Sequence, residues 1–199
     1  MSAPAQGSLA GFEPPAATGD THRLFFALWP DEAVRAALAE RAAALRAQNR
    51  DRARWVGAHR YHMTLHFLGD RPALDEPVLA RASEAVAALD IGAFDLAIDR
   101  AGSFGNRSVP WWLGCARTPP ALGALHGALG EALLRAGVRL YEPRRLVPHI
   151  TIARDAQRRL EDLPIPPLVW RVDRFVLIHS VLGAASEYRV VGDWPLRTG

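Results

Sequence analysis

Two short stretches of this chain carry groups able to move protons and hold an oxyanion: His62-Met63-Thr64-Leu65 and His149-Ile150-Thr151-Ile152. The second begins 87 positions after the first in a chain of 199 residues. Both have the form His, any residue, Thr, apolar residue. On a β-strand, alternate side chains share a face. Thr64 then accompanies His62, and Thr151 accompanies His149, with the apolar residues turned to the other side. Burial accounts for the apolar side but not for the polar one. Were the two strands to meet, two imidazoles and two hydroxyls would converge. A neutral imidazole can take a proton from water, and a protonated one can give a proton to a leaving oxygen. Hydroxyls can donate hydrogen bonds to phosphoryl oxygens. That set suits phosphoester chemistry without a metal, although these residues alone leave a structural coincidence open. By the same alternation His66 shares the face of His62, as a second cleft group or a solvated strand histidine, while Phe67 falls on the core side. A zinc site of His62, His66 and His149 lacks a carboxylate or cysteine at familiar spacing.

The elements around the motifs follow from pattern. Residues 23–29, RLFFALW, read as an aromatic strand, and Pro30-Asp31-Glu32 open an alanine-rich helix ending near Asn49. HMTLHFLG reads as a strand, 76–89 as a helix, and 93–102 and 109–116 as strands. Pro119-Pro120 begin a third helix that Gly137 closes. HITIAR is the second motif strand. Residues 164–167 are a Pro-rich connector, and 168–181 and 187–194 are closing strands. This order gives an α+β fold, mainly antiparallel, with two lobes related by a pseudo-twofold, each with a helix before its motif strand. Residues 1–22, rich in Ala, Gly and Pro, form a loose tail without the pattern of a secretory signal, and 23–199 a single bilobal domain.

Composition narrows the function further. About half the residues are apolar, enough for a sizeable core, and no run is long enough to span a membrane, so the expected compartment is the cytoplasm. The single cysteine, Cys115, excludes an internal disulfide and reads as an inert thiol. The net charge is +3, and all 24 basic residues are arginine. A GC-rich genome accounts for that choice, although arginine's fork also suits phosphate. Most tryptophans read as core. Arg144 and Arg145 could steer a polyanion toward the second motif.

Together these pieces resemble the two-histidine (2H) phosphoesterases, most closely the RNA 2′,3′-cyclic phosphodiesterases, also called 2′-5′ RNA ligases. The resemblance runs through RLFFALWP, RWV with YHMTLHFLGD, GSFGNRSVPWWLG, VPHITIAR and EYRVVGDWPL, in order over all but the first twenty or so residues. It implies an antiparallel sheet in each lobe, helices outside, and a cleft holding both motifs. It implies metal-independent hydrolysis of a terminal 2′,3′-cyclic phosphate of RNA to a 2′-phosphate. Cyclic nucleotides are a further expected substrate, no cofactor is expected, and the chain is expected to be a monomer. The resemblance makes His62 and His149 the acid–base pair, read here as His62 the proton donor and His149 the proton acceptor, a split that the near-symmetry of the motifs allows to be exchanged. Thr64, Thr151 and Arg154 are assigned to the phosphate, and Phe26 to stacking on the terminal base. Arg154 lies at an odd offset from His149, so a bend or the strand end must bring it in. Joining or cleaving 2′-5′ linkages is the alternative use of such a site, and non-catalytic binding of RNA ends is the alternative of another class.

Overall fold

The computed structural model describes residues 20–105, 109–141, 146–182 and 187–198. It contains β1 (Thr21–Leu28), α1 (Glu32–Asn49), β2 (Arg54–Trp55), a 3-10 turn (Ala58–Arg60) and β3 (Met63–Arg71). These lead to α2 (Glu76–Val86), β4 (Phe94–Ser103), β5 (Trp111–Gly114) and α3 (Pro120–Arg135). The chain ends in β6 (His149–Arg154), β7 (Leu163–Val172), β8 (Arg174–Leu182) and β9 (Glu187–Pro195). The expected α+β architecture is present, and the nine strands form one open sheet in the order β7-β4-β5-β6-β3-β1-β8-β9, with β2 paired to β6. Every ladder between these strands is antiparallel. The sheets of the two lobes are continuous, joined where β3 meets β6 through the single pair Met63↔Ile150.

The helices begin and end where their sequence dictates. Asp31 caps α1 by accepting the Val34 N–H at 2.8 Å, and Asp75 caps α2 by accepting that of Val78 at 2.9 Å. Each such cap is worth about 1 kcal/mol. Gly137, with φ +72°, closes α3, and the N–H of Val138 returns to the Leu133 carbonyl at 2.9 Å.

Alternation along β1 divides the interior. Leu24, Phe26 and Leu28 join the main core with Leu38, Leu125 and Leu129 of the helices, whereas Phe25 and Ala27 join Val176 and Ile178 in a smaller cluster on the opposite face. Trp111 and Trp170 are core residues, as expected, at 2% and 3% exposure.

Three readings of the chain change. The Pro-rich segment is not a connector but part of β7, which lies at the sheet edge, where prolines need not donate to a ladder. The long closing run divides at Asp173 into β7 and β8. The boundary placed at residue 22 falls inside β1, and residues 1–19 are outside the described residues, as are Arg144 and Arg145. Among the described residues no helix is long and apolar enough to cross a membrane.

Candidate active site

The Met63↔Ile150 pair fixes how the motifs meet. Continued one residue each way, this antiparallel register sets His62 opposite Thr151 and Thr64 opposite His149. By this register each histidine lies opposite the other motif's threonine, and His62 and Thr151 line one part of the cleft together. Gly114 allows this approach from the side of β5. It pairs with His149, and a side chain on it would come within 2.5 Å of the Pro148 carbonyl.

The two imidazoles are held alike. The Nδ1 of His62 lies 2.7 Å from the Arg60 carbonyl, and that of His149 lies 2.8 Å from the Val147 carbonyl. A carbonyl only accepts, so each Nδ1 carries the proton and each Nε2 is left for chemistry. Their surroundings differ. His62 sits in an aromatic cage: the centroids of Phe25 and Tyr188 lie at 5.0 and 5.3 Å, and Trp29 stacks at 6.3 Å. His149 meets the edge of one ring, Phe104, at 4.8 Å. Burial pushes the His62 pKa down to about 4; the hydrogen bond to Arg60 opposes this, and His149, Arg154 and Arg60 lower it further. His149 is also lowered, first by burial and then, against its bond to Val147, by Arg154. Both rings are therefore neutral in the unliganded protein at pH 7.

A β-bulge after each motif decides which later residues reach the cleft. On β3, Phe26 pairs with His66 and Ala27 with Thr64, leaving Leu65 as the extra residue. On β6, Trp111 pairs with Ala153 and Trp112 with Thr151, leaving Ile152 as the extra one. Leu65 and Ile152 are each the fourth residue of a motif, so the bulges are equivalent. A bulge reverses the alternation beyond it. Arg154 consequently returns to the face of His149 and Thr151, which supplies the bend its odd offset required. Phe67, its equivalent in the first lobe, lines the cleft with Arg23, Phe25, His62, Thr64, Arg154 and Tyr188.

The same bulge sends His66 the other way. It neither lines the cleft nor meets solvent: it is 5% exposed on the helix side and donates from Nε2 to the His126 carbonyl of α3 at 2.8 Å. The His66 and His126 rings stack with centroids 4.1 Å apart. The His126 pKa is pushed down to about 4 by burial and then by His66, against a hydrogen bond to the Leu65 carbonyl. His66 therefore cannot join His62 and His149 around zinc, and among the described residues no three His, Cys, Asp or Glu side chains converge as metal ligands.

Phe26 likewise departs from its expected place. It is fully buried against Phe175 and Trp194 and cannot reach a base in the cleft. Its neighbour Phe25, together with Phe67, supplies the aromatic surface there.

Cations complete the site. Arg154 lines both chambers of the cleft with Tyr188 and His62. Burial lowers its pKa, and Arg54, Arg23 and Arg60 add to the lowering; Tyr188 alone opposes it. Arg23 is held by both oxygens of Asp70, at 2.7 and 2.8 Å. The sequence reading missed Arg60, whose guanidinium lies over the Tyr188 ring at 4.6 Å, and Tyr188 itself. Two arginines reach the cleft through pairings no motif encodes: Arg23 lies beside Asp70 across β1 and β3, and Arg54 opposite Arg154 across β2 and β6. The one local signal for Tyr188 was an aromatic in the last strand, next to the charged Glu187 and Arg189.

Comparison with known proteins gives concordant results. Residues 31–184 match the family model described as the 2′-5′ RNA ligase superfamily. The chain is 33% identical over 187 residues to the RNA 2′,3′-cyclic phosphodiesterase of Thermus thermophilus, covering 88% of this chain and 90% of that one. It is 36% identical over 151 residues to the protein of the same name from Geobacillus stearothermophilus; this match covers 71% of the chain but spans only 47% of that longer relative. Among solved structures, apo Escherichia coli LigT superposes with a TM-score of 0.71 at 29% identity, covering 89% of this chain and 99% of LigT. A crystal structure from Thermus thermophilus gives 0.70 at 28% identity, covering 88% and 98%.

Proposed function

This chain belongs to the 2′-5′ RNA ligase superfamily, the two-histidine phosphoesterases, and on that premise we propose that it hydrolyses the terminal 2′,3′-cyclic phosphate of RNA to a 2′-phosphate without a metal. The observation that carries the reading is the crossed pairing of the motifs about Met63 and Ile150. This register supports a site in which two proton carriers and two hydroxyls share one phosphate. The relatives named RNA 2′,3′-cyclic phosphodiesterase supply the substrate class.

In this mechanism the cyclic phosphate lies between the motifs. The Thr64 and Thr151 hydroxyls and the Arg154 guanidinium hold its oxygens. His149, neutral with Nε2 free, takes a proton from water as the water oxygen bonds to phosphorus. The bond from phosphorus to O3′ breaks, and His62 gives its proton to O3′. The product is a 2′-phosphomonoester with a free 3′-hydroxyl. His62 must first be protonated. Substrate favours this, because its negative charge opposes the burial that chiefly holds the ring neutral, and with it the smaller contributions of Arg154 and Arg60. The Phe25, Tyr188 and Trp29 rings then surround a cation, an interaction worth about 0.5–2 kcal/mol. Each proton transfer contributes about 10²–10⁴ to the rate.

Phosphorus NMR of a short RNA ending in a cyclic phosphate, incubated with the protein, tests the reading. A 2′-phosphate as sole product is expected. A 3′-phosphate would contradict the assigned leaving oxygen, and an untouched cyclic end would contradict the reaction itself.

A further inference from the structure

His62, Arg154 and Tyr188 divide the cleft into two chambers. The chamber on the Thr64 side has Phe25 and Phe67 in its wall, a surface for a base. The chamber on the Thr151 side is walled by Arg54, Trp55 and Arg60. The reaction proposed above sets one phosphate, with one negative charge, against the partition. The Thr151-side chamber then keeps cations without an anion. Among the described residues no Asp or Glu lines it. Arg54 is relieved in part by Asp155, at 3.1 Å. Arg60 instead lies over the Tyr188 ring, with Nη2 donating to its hydroxyl at 3.3 Å, and its buried Nε–H has no partner among the described residues. The indole N–H of Trp55, on the same wall, is also buried and without a partner among the described residues. Gathered cations and unpaired donors each carry a free-energy cost that an anion offsets.

We propose that the chamber lined by Arg54, Arg60 and Arg154 binds a second phosphate, the diester joining the terminal nucleotide to the rest of the RNA. The substrate class is then an oligonucleotide end in preference to a nucleoside 2′,3′-cyclic phosphate. This rests on the functional reading above, which takes the first phosphate to lie against His62 and His149.

Stable product analogues test the second subsite apart from turnover. Calorimetric titrations compare adenosine 2′-phosphate with adenosine 2′,5′-bisphosphate. One charge-assisted contact is expected to make the bisphosphate bind about tenfold tighter to the unmodified protein. Arg60→Gln should bring the two affinities to within about twofold, and Arg54→Gln should reduce the difference. Arg81→Gln, the same charge change on an exposed residue of α2, should leave the tenfold difference in place. Thermal melts confirm that each variant is folded. Equal affinities in the unmodified protein, a difference that survives Arg60→Gln, or an equal loss in Arg81→Gln would each overturn the proposal. A bisphosphate advantage in a protein that leaves cyclic ends untouched would sink the functional reading and keep the second subsite. Hydrolysis of cyclic ends with no such advantage would do the reverse.

Discussion

Replacing His66 by leucine tests whether the bulge at Leu65 positions the cleft. The substitution keeps an apolar side chain against α3 and removes the donor to the His126 carbonyl, a contact of 2.8 Å. A buried hydrogen bond of this kind nets about 0.5–1.5 kcal/mol, and the stacked ring pair adds about 0.5–1 kcal/mol. The total, about 1–2.5 kcal/mol, corresponds to a Tm loss of about 2–10 °C in a chain this size. Activity should fall as well, and in the fully folded protein. A one-residue slip of β3 exchanges its faces beyond Thr64, withdrawing Phe67 from the cleft and turning position 66 toward it. The expected result is a fall of about tenfold in kcat/KM, or ~1.4 kcal/mol, measured well below the melting temperature on an RNA ending in a cyclic phosphate. His66→Gln, which can present an amide N–H at similar reach, should recover most of the loss. A leucine variant with unchanged kcat/KM, or a glutamine variant as slow as leucine, would refute the claim that this hydrogen bond holds the bulge.

Three further outcomes follow from the same geometry. His62 and His126 are held at a pKa of about 4, below the usual histidine value, so the unfolded chain binds more protons as acid is added, and stability is full above the ordinary pKa and falls toward the folded one. Halved for solvent screening, the two together cost about 2 kcal/mol between about pH 7 and pH 5, a Tm loss of about 4–8 °C; a melt unchanged or higher at the acid end would contradict this. Phe26→Ala should cost about 3–5 kcal/mol in denaturant titrations without altering the relative rates on RNAs ending in different bases, whereas Phe25→Ala should alter them; a changed base preference in Phe26→Ala would restore the stacking role denied to it. Arg154→Gln should raise KM about 10–100-fold through loss of a charge-assisted bond, and an unchanged KM would remove Arg154 from the phosphate site.

What the sequence made legible was local. The paired motifs, the helix caps and the closing glycine are patterns within a few residues, and the described structure repeats them. The positions of His66 and Phe67 depended on a bulge that no alternation rule announces, since Leu65 and His66 are both buried in succession. Phe25 and Phe26 are adjacent rings in one strand, and only the packing of helices on one face tells which is core. Arg154 carried a hint, because its odd spacing demanded either a bend or the strand end. Arg60 and Tyr188 lie 128 positions apart and meet across the cleft, a contact made by the order of strands and by no motif.

We propose His62 and His149 as the two proton carriers of a metal-free phosphodiesterase. The most direct measurement is single-turnover hydrolysis of a cyclic-phosphate RNA in excess EDTA by the unmodified protein, His62→Ala and His149→Ala. Full activity of the unmodified protein in EDTA is expected, with a loss of about 10²–10⁴ in each variant and RNA binding largely kept. Activity abolished by EDTA, or either alanine variant turning over near the unmodified rate, would contradict it.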